Sequence, residues 1–239
     1  MKETHDFEKK FRDQVLRCSN CGFCRAVCPV FGLTKRPAFN ARGKMLILKE
    51  VMDGTIELND ELVETLFQCT TCASCANQCP SGVNPPEIIK QVRKDMVHKG
   101  TCHPAFEGMH RVLETHTNIY GEDEPEDFER ERNQKADVVF FIGCVGSYRE
   151  DEATLATLDV LDHLKVDYTL IDEVCCSGAL GDVGFEINQR LAETNVDRIL
   201  TTGATKLVTG CPYCSRTFND KDEYAVLRDA GIEIIHLSQ

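Results

Sequence analysis

The chain has 239 residues, fourteen cysteines and a net charge of −12 from 39 acidic and 27 basic side chains. This length allows one large domain or two smaller ones, each with a hydrophobic core. The negative balance opposes binding to nucleic acid and to anionic lipid, so neither is expected as a partner.

The sequence also bears on where the protein works. Its first ten residues, MKETHDFEKK, lack the apolar stretch of a secretory signal. The longest uninterrupted apolar run, residues 138–146, has nine residues, which is short of the ~20 that a membrane-spanning helix requires. A cytoplasmic protein is therefore expected, with any membrane association made through a partner. In that compartment cysteines stay reduced, and their spacing indicates metal binding or catalysis rather than disulfides.

The first elements predicted along the chain are helices. Phe7, Phe11 and Val15 recur every four residues, as on one face of a helix. Composition and capping signals predict further helices at 41–52, 59–68 and 84–97. No strand pattern interrupts them, so this part of the chain is predicted to be all-helical.

Two cysteine runs lie among these helices. Residues 18–29 read CSNCGFCRAVCP and residues 69–80 read CTTCASCANQCP, so both follow the pattern C-x2-C-x2-C-x3-C-P. Bacterial-type ferredoxins hold [4Fe–4S] clusters with this run. Zinc sites use two cysteine pairs instead of a triplet and a fourth residue, so two [4Fe–4S] clusters are favoured over zinc.

The ferredoxin pattern also predicts which cysteines share a cluster. In two-cluster ferredoxins the fourth cysteine of each run binds the other cluster. One cluster is therefore expected on Cys18, Cys21, Cys24 and Cys79, and the other on Cys69, Cys72, Cys75 and Cys28. Because the exchange ties the two runs together, the domain is expected to fold only with its clusters bound.

A second group of metal-binding residue types follows, at Cys102, His103, His110 and His116. No pair in it has the i, i+4 spacing of two ligands on one helix face. We interpret these residues as ordinary helix surface.

Beyond residue 120 the pattern changes. Ten of the fifteen residues at 121–135 are charged, which predicts a solvated linker. Strands predicted at 137–143, 167–171, 206–210 and 232–237 then alternate with helices predicted at 150–165, 184–200 and 216–231. This alternation indicates a parallel sheet with right-handed crossovers. The expected fold is multidomain α and α/β: a helical two-cluster ferredoxin domain (1–119), an acidic linker (120–135) and an α/β cysteine-rich domain (136–239).

Five more cysteines follow the predicted strands. Cys144 comes after the first strand, Cys175 and Cys176 after the second, and Cys211 and Cys214 after the third. Ligands of open α/β sheets bind outside the carboxyl ends of the strands, so the five thiols are expected to converge there as ligands.

Glycines near these strand ends, Gly143, Gly178 and Gly210, are expected to let the backbone approach closely. Five thiolates exceed the four that zinc or a cubane takes. Either one thiol is spare, or the cluster differs from a cubane.

The arrangement Cys144-x30-Cys175-Cys176-x34-Cys211-x2-Cys214 resembles the cysteine-rich CCG domain. That domain occurs in heterodisulfide reductases and in the iron–sulfur subunits of glycolate oxidase, lactate-utilisation and anaerobic glycerol-3-phosphate dehydrogenase systems. In fused members a pair of ferredoxin motifs precedes it, so the resemblance covers nearly the whole chain. Family members usually carry two CCG domains, whereas this sequence has one. The second copy is therefore expected on another subunit, outside this sequence, or not at all.

The resemblance implies a role for the five cysteines. In heterodisulfide reductases the matching residues hold a noncubane [4Fe–4S] cluster that cleaves a disulfide, which would make these cysteines catalytic. Elsewhere in the family the motif is an electron-transfer site or holds zinc.

No nucleotide or flavin motif is present, because GALGDVG (178–184) has the wrong glycine spacing. Electrons are therefore expected from a flavoprotein or another iron–sulfur subunit. Three hypotheses follow: an iron–sulfur electron-transfer subunit of an anaerobic oxidoreductase complex, a disulfide reductase of the heterodisulfide type, and a zinc-binding structural module.

Overall fold

The structure, a computed structural model, describes residues 5–123 and 125–239. Its contacts divide the chain into two compact units. The first comprises Met1–Glu107 and Gly181–Phe185, and the second comprises Gly108–Leu180 and Glu186–Gln239. No helix among the described residues is long and apolar enough to cross a membrane.

The first unit is helical. Its helices are α1 (Asp6–Arg17), α2 (Phe23–Ala26), α3 (Pro29–Thr34), α4 (Ala41–Asp53), α5 (Val63–Phe67), α6 (Ser74–Asn77) and α7 (Pro85–His98). Helix α8 (Pro104–Thr115) contains the boundary between the units. The helices predicted at 41–52 and 84–97 are α4 and α7. The helix predicted at 59–68 consists of a 3-10 turn, Asp60–Leu62, followed by α5.

Local signals explain where the two longest helices of this unit begin. The Asn40 side chain accepts a hydrogen bond from the Gly43 N–H at 3.1 Å and so caps α4. Helix α7 begins with two prolines, whose fixed φ suits the first turn and whose missing N–H has no helical partner there. Both helices bury an apolar face, which includes Leu48 on α4 and Val92 on α7.

The second unit is built on a parallel sheet, as predicted. Its strands are β1 (Val138–Phe141), β2 (Tyr168–Thr169), β3 (Lys206–Thr209) and β4 (Glu233–His236), in the order β2-β1-β3-β4. Its helices are α9 (Cys144–Tyr148), α10 (Asp151–His163), α11 (Gly178–Asp182), α12 (Gln189–Thr202), α13 (Pro212–Asp220) and α14 (Ala225–Asp229). The end of α11, from Gly181, belongs to the first unit. The α and α/β fold class is confirmed.

Strand β1 is covered on both faces, as its continuous apolar run predicts. Val139 and Phe141 pack into one cluster of buried side chains, and Val138 and Phe140 pack into another. A central strand with two apolar layers fixes the sheet edge from which the cysteine loops leave.

The segment expected to be a solvated linker is packed in part. Phe128 is only 2% exposed and belongs to the core of the second unit. Arg132 pairs with Leu170 in a parallel bridge beside β2. An apolar side chain every few residues is enough to anchor a charged segment, and the expectation gave that no weight.

Two helix predictions were wrong in their extent. The helix expected from 184 begins at Gln189, because residues 181–185 belong to the first unit and the Asn188 side chain caps α12. The helix expected at 216–231 is broken after Asp220. The break places Tyr224 against Phe218, with their rings edge-to-face at 4.6 Å. Burial of this aromatic pair outweighs the continuous helical pattern.

Candidate metal centres

The eight cysteines of the two runs line two cavities of the first unit. One cavity is lined by Cys18, Cys21, Cys24 and Cys79, with Cys75 at its edge, and the other by Cys28, Cys69, Cys72 and Cys75. Each cavity therefore contains the first three cysteines of one run and the fourth of the other. This grouping supports the crossed ligand sets expected from the sequence.

The two runs adopt the same turn. Asn20 and Gly22 have φ values of 57° and 88°, and the equivalent Thr71 and Ala73 have 53° and 63°. A left-handed residue before each of the second and third thiols reverses the backbone, which keeps the thiols on one side of the turn. Ala73 takes this conformation despite its Cβ, and such strain is typical of functional sites.

Backbone groups near the fourth cysteine of each run donate to its sulfur. The Phe31 N–H lies 3.5 Å from the Cys28 Sγ, and the Val83 N–H lies 3.4 Å from the Cys79 Sγ. Such bonds favour the thiolate, which is the form that binds metal. Burial raises the pKa of Cys75 to about 12, so this thiol requires a bound cation to ionise at neutral pH.

Arg93 is a buried cation beside the second run. It is 2% exposed, and its guanidinium donates to the carbonyl oxygens of Leu66, Phe67, Cys69 and Asp182. The bond to Cys69 O measures 2.6 Å. The guanidinium therefore holds the backbone at the entry to the second run.

Arg93→Lys is expected to destabilise the first unit by about 2–5 kcal/mol, because an ammonium group satisfies fewer of these carbonyls and each unpaired group costs about 1–3 kcal/mol. The measurement is anaerobic urea unfolding followed by circular dichroism. Arg12→Lys on the exposed side of α1 is the matched control, with a change below about 0.5 kcal/mol. Equal stability of the two variants would contradict the role of Arg93.

The five remaining candidate ligands lie at one end of the sheet in the second unit. Cys144 begins α9 after β1, Cys175 and Cys176 lie in the loop after β2, and Cys211 and Cys214 lie at the start of α13 after β3. The Sγ atoms of Cys176 and Cys214 are 3.3 Å apart, and those of Cys175 and Cys144 are 4.0 Å apart. The adjacent cysteines therefore contact thiols from different loops.

Hydrogen bonds divide these thiols into donors and acceptors. Bonds from Cys175 and Cys214 lower the pKa of Cys176, and a bond from Cys214 lowers the pKa of Cys211 to about 6. The bond with Cys144 raises the pKa of Cys175. Backbone N–H groups at the start of α13 also stabilise the Cys211 thiolate. The site thus favours at least two thiolates, as a soft metal requires.

Two of the three glycines make the expected close approach. A Cβ on Gly143, which has φ 85°, would lie 3.2 Å from the Cys214 Sγ. A Cβ on Gly178 would lie 1.9 Å from the Thr217 Oγ1. The expectation for Gly210 was wrong, because a Cβ there would meet nothing within 4 Å.

Glu173 supports the site and was missed from the sequence. Its carboxylate accepts hydrogen bonds from the Ile142 and Gly143 N–H groups at 2.8 and 2.5 Å. These bonds hold the end of β1 against the loop that carries Cys175. Burial raises the pKa of Glu173 to about 8, although both hydrogen bonds oppose the shift. Its place two residues before the cysteine pair was the only available signal.

A cavity of about 680 Å³ opens beside this site. Cys144 and Cys175 lie in its wall, together with Arg132 and Arg198. A molecule in this cavity would reach two of the five thiols.

The thiol sets suit iron–sulfur clusters. Among residues 5–123 and 125–239, no three Cys, His, Asp or Glu side chains are grouped as the ligands of a single metal ion. The ligands of a four-iron cluster bind different iron atoms, so they lie farther apart than those of one ion. All-sulfur donors of this kind select iron–sulfur clusters or zinc.

The histidines interpreted as helix surface have separate local partners. His103 Nδ1 accepts from the Ala105 N–H at 3.2 Å. His110 and His116 lie 3.5 and 3.7 Å from carboxylates of Glu114 and Asp123. The Cys102 thiol lies 3.5 Å from the His103 carbonyl oxygen.

Comparison with known proteins agrees with this division of the chain. Residues 14–83 match the 4Fe-4S dicluster domain, and residues 138–219 match the cysteine-rich CCG domain. One relative belongs to the dihydromethanophenazine:CoB–CoM heterodisulfide reductase of Methanosarcina acetivorans, and it is 27% identical over 93% of this chain and 61% of its own length. The probable glycolate oxidase iron-sulfur subunit of Bacillus subtilis is 23% identical over 92% of this chain and 63% of its own length.

The glycolate oxidase iron-sulfur subunit of Escherichia coli is 26% identical over 70% of this chain and 48% of its own length. The chain thus spans less than two thirds of the length of these relatives. It is an iron–sulfur protein that joins a 4Fe-4S dicluster domain to a cysteine-rich CCG domain and belongs with the iron–sulfur subunits of heterodisulfide reductase and glycolate oxidase.

Proposed function

We propose that this chain is an iron–sulfur electron-transfer subunit of an anaerobic oxidoreductase complex. It passes electrons between a flavin-bearing or iron–sulfur partner, two [4Fe–4S] clusters and a third centre on the five cysteines. The observation that carries the proposal is the pair of cavities that each gather four cysteines of the two runs. Bound clusters supply one-electron chemistry at potentials set by their protein surroundings.

The chain's own residues hold and tune these centres. Cys18, Cys21, Cys24 and Cys79 would bind one cluster, and Cys28, Cys69, Cys72 and Cys75 the other. Cys144, Cys175, Cys176, Cys211 and Cys214 would bind the third. Backbone N–H groups directed at sulfur, such as that of Ser177 at 3.3 Å from the Cys175 Sγ, stabilise added negative charge and raise the potential.

The relatives give this proposal its chemical setting, because two of them are named as subunits of a heterodisulfide reductase and a glycolate oxidase. The sequence carries no nucleotide or flavin motif. We therefore infer that electrons enter from another subunit that bears a flavin or a further iron–sulfur centre.

Anaerobically purified protein is expected to contain about eight iron atoms in its two cubanes, with further iron and sulfide at the third centre. It should show no flavin absorbance and no oxidation of NAD(P)H with artificial acceptors. Iron, zinc and sulfide analysis combined with EPR is the measurement. Stoichiometric FAD or FMN on the isolated chain would contradict its role as a relay.

A second candidate function is disulfide reduction at the five-cysteine site. The cavity beside Cys144 and Cys175 favours it, because a disulfide there would reach the centre directly. Adding 2-hydroxyethyl disulfide to the reduced protein separates the candidates. A new EPR signal from the third centre with release of thiol indicates a reductase, whereas unchanged spectra indicate a relay. One zinc without sulfide at this site would indicate the structural module instead.

A further inference from the structure

The net charge of −12 conceals an uneven distribution. Residues 14–49 contain seven Lys and Arg and no Asp or Glu, although the chain has 39 acidic residues. This stretch includes the whole first cysteine run, 18–29. The second run has no charged residue of its own and is preceded by Glu57, Asp60, Glu61 and Glu64. The two runs therefore lie in surroundings of opposite sign along the sequence.

Two arginines of the stretch lie beside the first run. Ideal Cβ placement on Gly22, which lies between Cys21 and Cys24, comes within 3.8 Å of the Arg25 Cδ and 3.7 Å of an Arg42 Nη. Arg25 is exposed and stacks on the Phe31 ring at 4.8 Å. Within the described chain neither guanidinium has a carboxylate partner, whereas Arg36 is paired with Glu64 at 2.9 Å.

Exposed apolar side chains accompany these charges. Phe23 is 63% exposed and lines the first cluster cavity together with Arg42. Leu46 is 40% exposed and shares a surface depression with both arginines. We call Phe23, Arg25, Arg42 and Leu46 the basic rim. Aromatic residues and arginine around an apolar centre are the composition of protein interfaces.

We propose that the basic rim is the docking surface for an acidic electron-transfer protein, which exchanges electrons with the cluster on Cys18, Cys21, Cys24 and Cys79. This inference rests on the proposed function. Each encounter moves one electron: the partner's centre is oxidised by one electron and the acceptor on this chain is reduced by one. No bond is made or broken.

Charge complementarity selects this kind of partner. A compact protein covers about 800 Å² on each side of an interface, so it can contact the rim without covering the acidic remainder of the chain. A nucleic acid or a membrane presents negative charge over a much larger area and would meet that acidic remainder. Opposite charge at the rim would raise the association rate and make it fall with salt.

The test uses the full-length, cluster-loaded protein and a plant-type [2Fe–2S] ferredoxin chosen for its acidic surface. Arg25→Glu is expected to weaken binding of oxidised ferredoxin, measured by surface plasmon resonance, by about tenfold at low salt. The stopped-flow rate of electron transfer from reduced ferredoxin should fall similarly. Lys165→Glu, an equal charge change at an exposed position of the second unit, is the matched control and should change both by less than twofold.

Reduced methyl viologen, a small cationic donor, tests the clusters without docking. If it reduces wild type and Arg25→Glu alike while only the ferredoxin reaction distinguishes them, the rim is the docking surface. If both proteins react equally with ferredoxin, the docking proposal is wrong and the proposed function stands. If neither donor reduces a cluster, the proposed function itself fails. Binding of wild type, but not Arg25→Glu, to phosphatidylserine vesicles without a ferredoxin effect would assign the rim to a membrane and overturn the proposal.

Discussion

Cys28→Ser is expected to remove the cluster held by Cys69, Cys72 and Cys75 and to leave the cluster of its own run in place. The reason is that Cys28 lines the cavity of the second run, while Cys79 lines that of the first. Replacing a soft thiolate by a hydroxyl weakens binding of iron. Iron content should fall by about four atoms per chain, with one of two cubane EPR signals lost.

Cys102→Ser is the matched control for this change. Cys102 is half-buried and lies outside both runs and outside the five-cysteine site, so its replacement should leave the iron content unchanged. The reciprocal variant, Cys79→Ser, should remove the other cubane signal. Loss of the signal associated with Cys18, Cys21 and Cys24 in Cys28→Ser would show that each run binds its own cluster.

Cys176→Ala is expected to abolish or distort the third centre while both cubanes remain intact. Its Sγ lies 3.3 Å from that of Cys214, and its pKa is lowered by hydrogen bonds from Cys175 and Cys214. It is therefore the thiol of the pair that is best prepared to bind metal as a thiolate. The cubane cysteines belong to the other compact unit, so their EPR signals serve as an internal standard.

Cys175→Ala is predicted to affect the same centre through its contact with Cys144. If all five thiols are ligands, both variants lose or alter the third signal together with its iron and sulfide. If only four are ligands, one of the two variants will keep the full metal content, and that residue is the spare thiol. One tightly held zinc without sulfide in the wild-type protein would exclude a redox role for this site.

The ligand runs could be predicted from sequence because their geometry is local. Three cysteines spaced two residues apart occupy one turn, and the left-handed residues at 22 and 73 occur inside that turn. The parallel sheet could likewise be predicted, since a strand covered on both faces, such as β1, must be apolar along its length. The convergence of the cysteine loops at one end of the sheet then followed from the rule for parallel strands.

Tertiary structure alone decided the features that depend on distant residues. Residues 181–185 join the first unit, where the Asp182 carbonyl accepts from Arg93 at 2.7 Å, and no local pattern encodes that pairing. The break after Asp220 exists because Tyr224 packs on Phe218, which the continuous helical pattern does not reveal. The sequence by itself therefore determined which residue types bind metal and in which order. Only the long-range packing decided that Cys176 meets Cys214 and Cys175 meets Cys144, because two adjacent side chains contact different loops only once the sheet has brought those loops together.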